Sequence, residues 1–269
     1  YINDRAQMGA YYTKEDITEY IGKNCIIPFL MDKTAQKSDK AFAPSGFVWQ
    51  SLRNSGDRYI YDAVKKGYSE NWKQLIPENI VIGIDVTTPN LLERRSAWNT
   101  KTAEKFALPT EIWRETIERL QRCENILNKI LNEEIAHIND FITYNLDIRS
   151  FAYDLLHSTE DHLFVLNFCN ALQTVTILDP TCGSGAFLLA VNTETPSCLF
   201  GFDINPIAVM IASTNLLIKY AHCNFIPNIY CVDFLQNDLS VPSDEIKIPI
   251  LFDNIYTNPP WGADKKGLY

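Results

Sequence analysis

The stretch Leu178-Asp179-Pro180-Thr181-Cys182-Gly183-Ser184-Gly185-Ala186-Phe187 decides the fold. It follows an apolar run at residues 175–178, which predicts a buried strand, and it leads into a helical pattern at residues 185–191. Glycines between a strand and a helix let the backbone turn sharply and approach a ligand closely. We therefore predict a strand–turn–helix unit with a binding site at the carboxyl end of the strand.

Three further apolar runs follow this unit, at residues 198–202, 228–232 and 250–256, with a helical pattern at residues 207–221 between the first two. Short buried strands that alternate with helices are typical of an α/β fold with a parallel, doubly wound sheet. About four parallel strands are predicted. The connection between the first two is short for a parallel crossover, which predicts that residues are missing from the numbering near 192–197.

Residues 1–170 form a second predicted domain, which is mainly helical. A helix is expected to begin at Thr13 or Lys14, and residues 32–110 are rich in loops. A helical hairpin is predicted at about 110–156, with Thr110 as the cap of its first helix and residues 139–156 as its second. The apolar stripe of the first helix falls at Trp113, Ile117, Leu120, Leu127 and Leu131.

Charge and cysteine usage restrict the class of protein. The net charge is -9, and residues 150–269 hold 4 Lys and Arg against 12 Asp and Glu, which accounts for -8 of it. A surface that binds DNA phosphates is basic, so we expect it to be local or to lie outside this chain. The seven scattered cysteines, never at CxxC spacing, predict a cytoplasmic protein without a metal site. No apolar stretch suggests a membrane span.

Acidic residues end the predicted strands and favour one type of cofactor. The P-loop pattern GxxxxGK[ST] is absent, and Leu188 fills the third glycine position of a dinucleotide-binding turn. S-adenosylmethionine is the third reading, because it needs one acid before the glycine turn and another at the end of the next strand. Asp179 and Asp203 satisfy it, and a carboxylate at Asp203 can accept both ribose hydroxyls. Asp233 and Phe234 offer an acceptor and a ring for the adenine.

The fourth predicted strand ends in Thr257-Asn258-Pro259-Pro260-Trp261. The N6 amine of adenine is a poor nucleophile, because its lone pair is delocalised into the ring. Two acceptors aimed at its protons favour a pyramidal nitrogen, and the Asn258 side-chain oxygen and the Pro259 carbonyl can be those acceptors. The prolines fix this geometry in advance, and Trp261 can stack on a base that has left the duplex.

These stretches resemble the motifs of the amino-methyltransferase superfamily, and their order is similar to that of the γ-class N6-adenine DNA methyltransferases. Asn258, Pro259, Pro260 and Trp261 look like the catalytic motif IV. By the same resemblance, the cofactor-binding residues of motifs X, I, II and III are Tyr11, Tyr12, Thr13, Asp179, Pro180, Cys182, Gly183, Gly185, Asp203, Ile204, Asp233 and Phe234. Motif X precedes motif I in that class and lines the methionine end of the cofactor.

The resemblance extends to the large single-chain methyltransferases of type IIG restriction–modification and phage-exclusion systems. It implies a Rossmann-like sheet that uses S-adenosyl-L-methionine to methylate adenine in a specific DNA sequence. Residues 171–269 would form the N-terminal half of the catalytic domain, because family members continue beyond motif IV into a target-recognition domain. We therefore expect a chain truncated after motif IV and inactive by itself. Double-stranded DNA would be bound through the target-recognition domain, with defence-system subunits as further partners.

Two features depart from this pattern or leave alternatives open. Lys14 stands where the family commonly has a proline. Asn-Pro-Pro-aromatic motifs also occur in enzymes that methylate RNA or protein glutamine, and a non-catalytic module for DNA binding or assembly could keep the fold. Glu245-Ile246-Lys247 lies in a loop without a well-placed strand acid, so a nuclease site within these residues is disfavoured.

Overall fold

The structure is a computed structural model that describes residues 13–234 and 251–258. Its contacts group into two compact units. The sheet unit contains the chain up to Ser38 and from Asp161 onward, and the helical unit is Asp39–Glu160. The first helix of the described residues is therefore grouped with the sheet, whereas the division predicted near residue 170 separates the two.

Short and long helices accompany four strands in the described residues. The helices are α1 (Glu15–Ala35), α2 (Asp39–Phe42), α3 (Phe47–Arg53), α4 (Asp62–Lys65), α5 (Trp72–Leu75), α6 (Glu78–Val81), α7 (Leu91–Arg94), α8 (Trp113–Leu131), α9 (Ile138–Thr143), α10 (Ile148–Ser158), α11 (His162–Thr174), α12 (Ala186–Ala190) and α13 (Pro206–Lys219). The strands are β1 (Ile177–Asp179), β2 (Leu199–Asp203), β3 (Asn228–Cys231) and β4 (Asn254–Ile255). Within residues 13–234 and 251–258, no helix combines the length and the apolar character that a bilayer crossing requires.

The four strands form one parallel sheet in the order β3-β2-β1-β4. Ile177 of β1 lies opposite Leu199 of β2 and Asn254 of β4. Every residue of β1 is buried, as expected for a central strand covered on both faces. The predicted α/β fold with about four parallel strands is confirmed.

The strands are shorter than the apolar runs that predicted them. The run at residues 175–178 begins as the C-cap of α11, because Val175 donates its N–H to the Ala171 carbonyl at 3.0 Å. The last run, at residues 250–256, is described from residue 251 onward, and within that part the strand covers Asn254–Ile255. Tyr256 nevertheless continues the pairing, since its N–H donates to the Leu178 carbonyl at 2.9 Å.

The crossover between β1 and β2 is completed within the residues present. It consists of the five-residue helix α12 and a 3₁₀ turn at Pro196–Cys198. Between them, the Thr195 N–H donates to the Thr193 hydroxyl at 3.0 Å. The Val191 carbonyl accepts a hydrogen bond from the Tyr220 hydroxyl. The missing residues that the sequence predicted near 192–197 are therefore not needed to close this connection.

Helix α8 of the helical unit begins later than predicted. The expected cap, Thr110, has φ +72° and lies in the left-handed region, outside the helix. The helix begins at Trp113, where the Glu115 carboxylate accepts the Ile112 N–H at 3.1 Å. The predicted stripe is also wrong at its end, because Leu131 is 64% exposed. The buried face instead follows the 3.6-residue period through Cys123, Ile126 and Ile130.

The second arm of the predicted helical hairpin is two helices instead of one. The chain leaves the helical conformation after α9, and Asn145 has φ +53°. Helix α10 then has its own N-cap, because the Asp147 carboxylate accepts the Ser150 N–H at 3.2 Å. Asparagine tolerates the left-handed conformation better than most residues, so this break has a local cause in the sequence.

A nearly buried ion pair stabilises the helical unit. Arg119 Nε lies 2.8 Å from Glu111 Oε1, and the two side chains are only 10% and 13% exposed. Arg119 also donates to the carbonyls of Phe106 and Lys66, each at 2.6 Å. The guanidinium lowers the pKa of the Glu111 carboxyl, mainly through their hydrogen bond.

Candidate functional site

The candidate residues gather at one edge of the sheet because all four strands are parallel. Asp179 is the last residue of β1, and Asp203 is the last residue of β2. Asp233 follows two residues after β3, and Asn258 follows three residues after β4. The carboxyl ends of parallel strands meet at the same edge, which is where ligands bind in sheets of this type.

The glycine turn after β1 is held by its own backbone and by β2. The Cys182 N–H donates to the Phe202 carbonyl at 2.8 Å, and the Gly185 N–H donates to the Cys182 carbonyl at 2.7 Å. Gly183 and Gly185 have φ of +54° and +87°, a conformation that favours glycine. A Cβ added at Gly183 would have no atom within 4 Å. Among the described residues, the backbone at Gly183 therefore has open space beside it, and ligand binding at this turn stays a prediction.

Asp203 has a structural role that the sequence analysis missed. Its Oδ2 accepts the Gly183 N–H at 2.8 Å, and its Oδ1 accepts the Asn205 N–H at 2.8 Å. The carboxylate thus fixes the glycine turn and the start of α13. Asn205 is the N-cap of this helix, because its side-chain oxygen accepts the Ile207 N–H. Each carboxylate oxygen has two lone pairs, so Asp203 can still accept hydrogen bonds from ribose hydroxyls. That contact stays a prediction. No local sequence signal predicts this role, because it depends on how the glycine turn folds back over β2.

Asp179 is a buried carboxyl group beside this turn. It is 1% exposed, and burial raises its pKa from 3.8 to about 7. Its Oδ1 accepts the Thr181 N–H at 3.2 Å, which opposes the rise, whereas the charge of Asp203 adds to it. The group therefore takes up a proton near neutral pH and changes the charge of the site when it does.

A hydroxyl pair joins the glycine turn to the segment that carries Asn258. Thr181 Oγ1 and Thr257 Oγ1 lie 2.5 Å apart. Thr257 precedes Asn258, so this contact holds the candidate catalytic segment against the candidate cofactor turn. The sequence predicted both segments but not the contact between them.

Thr13 contacts Asn258 across 245 positions of the chain. The Asn258 Nδ2 donates to the Thr13 Oγ1 at 3.0 Å, and both side chains are partly buried. The end of predicted motif X thus meets the start of predicted motif IV. Tyr11, Tyr12, Pro259, Pro260 and Trp261 lie outside the described residues.

The remaining predicted cofactor residues have different exposures. Phe234 is 38% exposed and stacks on Phe202 with ring centroids 6.2 Å apart at 22°. Ile204 is 69% exposed, Pro180 is buried, and Cys182 is 4% exposed. Cys182 is packed inside the protein, and this burial raises the pKa of its thiol. Phe234 and Ile204 present apolar surface to the solvent.

Across residues 13–234 and 251–258, no group of three or more His, Cys, Asp or Glu side chains could hold a metal ion.

The chain is similar to a DNA methylase family in its second half and to two curated proteins. Residues 162–267 match the family described as N-6 DNA Methylase. The chain is 36% identical over 92 residues to the Type II methyltransferase M.VspI of Vibrio sp. (strain 343), across 33% of this chain and 20% of that protein. It is 30% identical over 102 residues to the uncharacterized protein MG259 homolog of Mycoplasma pneumoniae, across 38% of this chain and 20% of that protein.

These alignments cover about one fifth of the length of the curated relatives. No solved structure matches the chain at a significant level.

Proposed function

We propose that residues 162–267, which match the family described as N-6 DNA Methylase, contribute to transfer of a methyl group from S-adenosyl-L-methionine to the N6 amine of adenine in DNA. The target is a specific sequence, and the reaction serves a restriction–modification or phage-defence system. Double-stranded DNA is the proposed partner, bound through a target-recognition domain.

The residues at this edge fit S-adenosylmethionine. The turn at Gly183 is open, so its backbone can approach a ligand. Asp203 can accept ribose hydroxyls in addition to its two backbone donors, and the partly exposed ring of Phe234 offers a face for adenine. The buried carboxyl of Asp179 supports the turn from below. When bound, the cofactor supplies an electrophilic methyl group on a sulfonium.

The hydrogen bond between Thr181 and Thr257 is the observation that carries the proposal. It supports a site in which the glycine turn and Asn258 face one ligand space, as a methyl donor and its acceptor require. Proximity of two reactants within one site supplies much of an enzyme's rate enhancement. A methyl acceptor beside Asn258 would therefore be held near a cofactor at Gly183.

The side-chain amide of Asn258 is suited to an exocyclic amine. Its oxygen can accept one amine proton, and the Pro259 carbonyl is proposed to accept the other. These contacts shift the nitrogen toward a pyramidal geometry, and its lone pair becomes available as the new bond forms. The amine becomes acidic as it is alkylated, so its proton can leave without a strong base. Trp261 is proposed to stack on the flipped base.

The test is methyl transfer by the full-length protein with isotopically labelled S-adenosylmethionine and separate DNA, RNA and protein substrates. We expect label in N6-methyladenine of DNA, at one recognition sequence. An Asp203→Ala variant should bind the cofactor more weakly, whereas Asp62→Asn, on an exposed carboxylate of the helical unit, should not. Label that enters RNA or protein glutamine and not DNA would contradict the proposal.

A further inference from the structure

We propose that Thr13 is a positioning residue for Asn258. Its hydroxyl accepts a hydrogen bond from the Asn258 amide and thereby fixes the direction in which the amide oxygen meets the substrate amine. This inference rests on the proposed function, because the positioned oxygen acts in amine methylation. It assigns to Thr13 a task separate from contact with the cofactor.

The geometry of a primary amide makes the contact with Thr13 informative. The Nδ2 donor and the Oδ1 acceptor of Asn258 belong to one planar amide group. A hydrogen bond donated by Nδ2 therefore restrains rotation of the whole group. The 3.0 Å contact with Thr13 holds the donor side. The acceptor side then has a defined direction, whereas a rotated amide would offer N–H donors to a substrate that itself donates. Catalysis by hydrogen-bond acceptors depends on such fixed orientation.

Contacts along helix α1, which begins two residues after Thr13, hold Thr13 beside the segment that contains β4 and Asn258. Near the end of α1, Lys33 lies 3.8 Å from Asp253, just before β4. Just before the start of α1, Thr13 meets Asn258. The contacts run in opposite order along the two elements, so α1 lies antiparallel to this segment.

Both ends of this arrangement are anchored elsewhere. Helix α1 packs against α11 and α12, and its residues Leu30 and Met31 are almost fully buried. The Asp253 carboxylate accepts the Thr176 N–H at 2.9 Å, which fixes the start of the β4 segment to β1. The two partners of the Thr13–Asn258 hydrogen bond therefore belong to elements that are held by independent contacts.

The experiment compares Thr13→Val, which removes the hydroxyl and keeps the shape, with Thr13→Ser, which keeps the hydroxyl. The matched control is Thr18→Val in helix α1, just after Thr13 in the chain. Thr18 is 1% exposed, and its hydroxyl donates within the helix to the Glu15 carbonyl at 2.9 Å. The full-length protein is measured for kcat on DNA at saturating cofactor, for the Kd of S-adenosylmethionine, and for Tm.

We expect Thr13→Val to lower kcat about 10-fold, the size of effect that loss of one positioning hydrogen bond produces. The Kd of S-adenosylmethionine and the Tm should stay close to the wild-type values, and Thr13→Ser should retain most of the kcat. Thr18→Val should keep the wild-type kcat. A crystal structure of the full-length Thr13→Val variant should show the Asn258 amide rotated relative to the wild type.

Two results would overturn the inference while the proposed function stands. One is a wild-type kcat in Thr13→Val. The other is a weakened Kd of S-adenosylmethionine with an unchanged kcat at saturation, which would make Thr13 a cofactor contact only. If the wild-type protein itself forms no N6-methyladenine, the proposed function fails, and the role of Thr13 fails with it.

Discussion

Replacing Asp179 by asparagine is expected to change how the stability of the sheet unit depends on pH. Asp179 is 1% exposed at the end of β1, and burial raises its pKa from 3.8 to about 7. Because the folded pKa is the higher one, the folded state binds the proton more tightly than the unfolded state. This contribution to stability is fully present below the unfolded pKa and is lost as the pH rises through the folded pKa.

The magnitude follows from the two pKa values. They differ by about 3, and each pH unit corresponds to ~1.4 kcal/mol, so the loss between about pH 4 and pH 8 is about 4 kcal/mol. The asparagine side chain of the Asp179→Asn variant stays neutral throughout this range and keeps an oxygen that can accept the Thr181 N–H. The free energy of unfolding of Asp179→Asn, minus that of the wild type, should therefore rise by about this amount as the pH increases.

The assay must report on the sheet unit by itself. Trp49, Trp72, Trp98 and Trp113, four of the five tryptophans, lie in the helical unit, so tryptophan fluorescence would follow mainly that unit. Urea unfolding at a series of pH values, with pulsed hydrogen exchange at a fixed pH and mass spectrometry of peptides that cover β1 and β2, reports on the correct region.

The control for this assay is Asp62→Asn, because the Asp62 side chain is 98% exposed. At each pH of the series, the β1 and β2 peptides of this variant should give the same free energy of unfolding as those of the wild type, since Asp62 belongs to the helical unit and its exposed carboxylate interacts weakly with its surroundings. A flat difference curve for Asp179→Asn as well would refute the reasoning about the buried carboxyl.

Two further substitutions test the packing of each unit. Gly201→Ala should destabilise the sheet unit by about 1–3 kcal/mol, because the new Cβ would lie 2.7 Å from Ile229 Cδ1 and 3.0 Å from Cys182 Sγ. A urea midpoint equal to that of the wild type would show that β3 and the glycine turn can move apart. Arg119→Met should destabilise the helical unit by about 3 kcal/mol, since it leaves Glu111 nearly buried without its partner. Tryptophan fluorescence during urea unfolding measures the free energy of unfolding of this unit. A loss below about 1 kcal/mol would show that this ion pair contributes no more than an exposed pair does.

The alternation of apolar runs and helical patterns was sufficient to predict the parallel sheet. Each run overlaps the strand that it predicted, because buried strands need continuous apolar sequence. The first and last residues of each strand could not be predicted as closely, since an apolar residue such as Val175 fits equally well at the end of a helix. The cap of α8 was missed for a similar reason: Thr110 is a favourable cap residue by type, but its backbone adopts φ +72°.

The sequence could predict where the candidate site residues lie in the fold, but not which hydrogen bonds join them. Strand-ending acids and the glycine turn have local sequence signals, so the sequence placed Asp179, Asp203 and Gly183 at the carboxyl edge of the sheet. The hydrogen bonds of Asp203 to backbone amides depend on how the turn folds back over β2. The Thr13–Asn258 contact joins residues 245 positions apart, and no local pattern encodes such a separation.

The most direct test of the central claim compares DNA from the host that carries the full-length wild-type protein with DNA from the same host that carries the Asn258→Ala variant. Sequencing that detects modified bases should find N6-methyladenine at one recognition sequence in the wild type. In the variant this signal should fall by at least about 100-fold, the size of loss seen when a group that stabilises a transition state is removed. Equal adenine methylation in both strains would contradict the assignment of Asn258 and of the reaction.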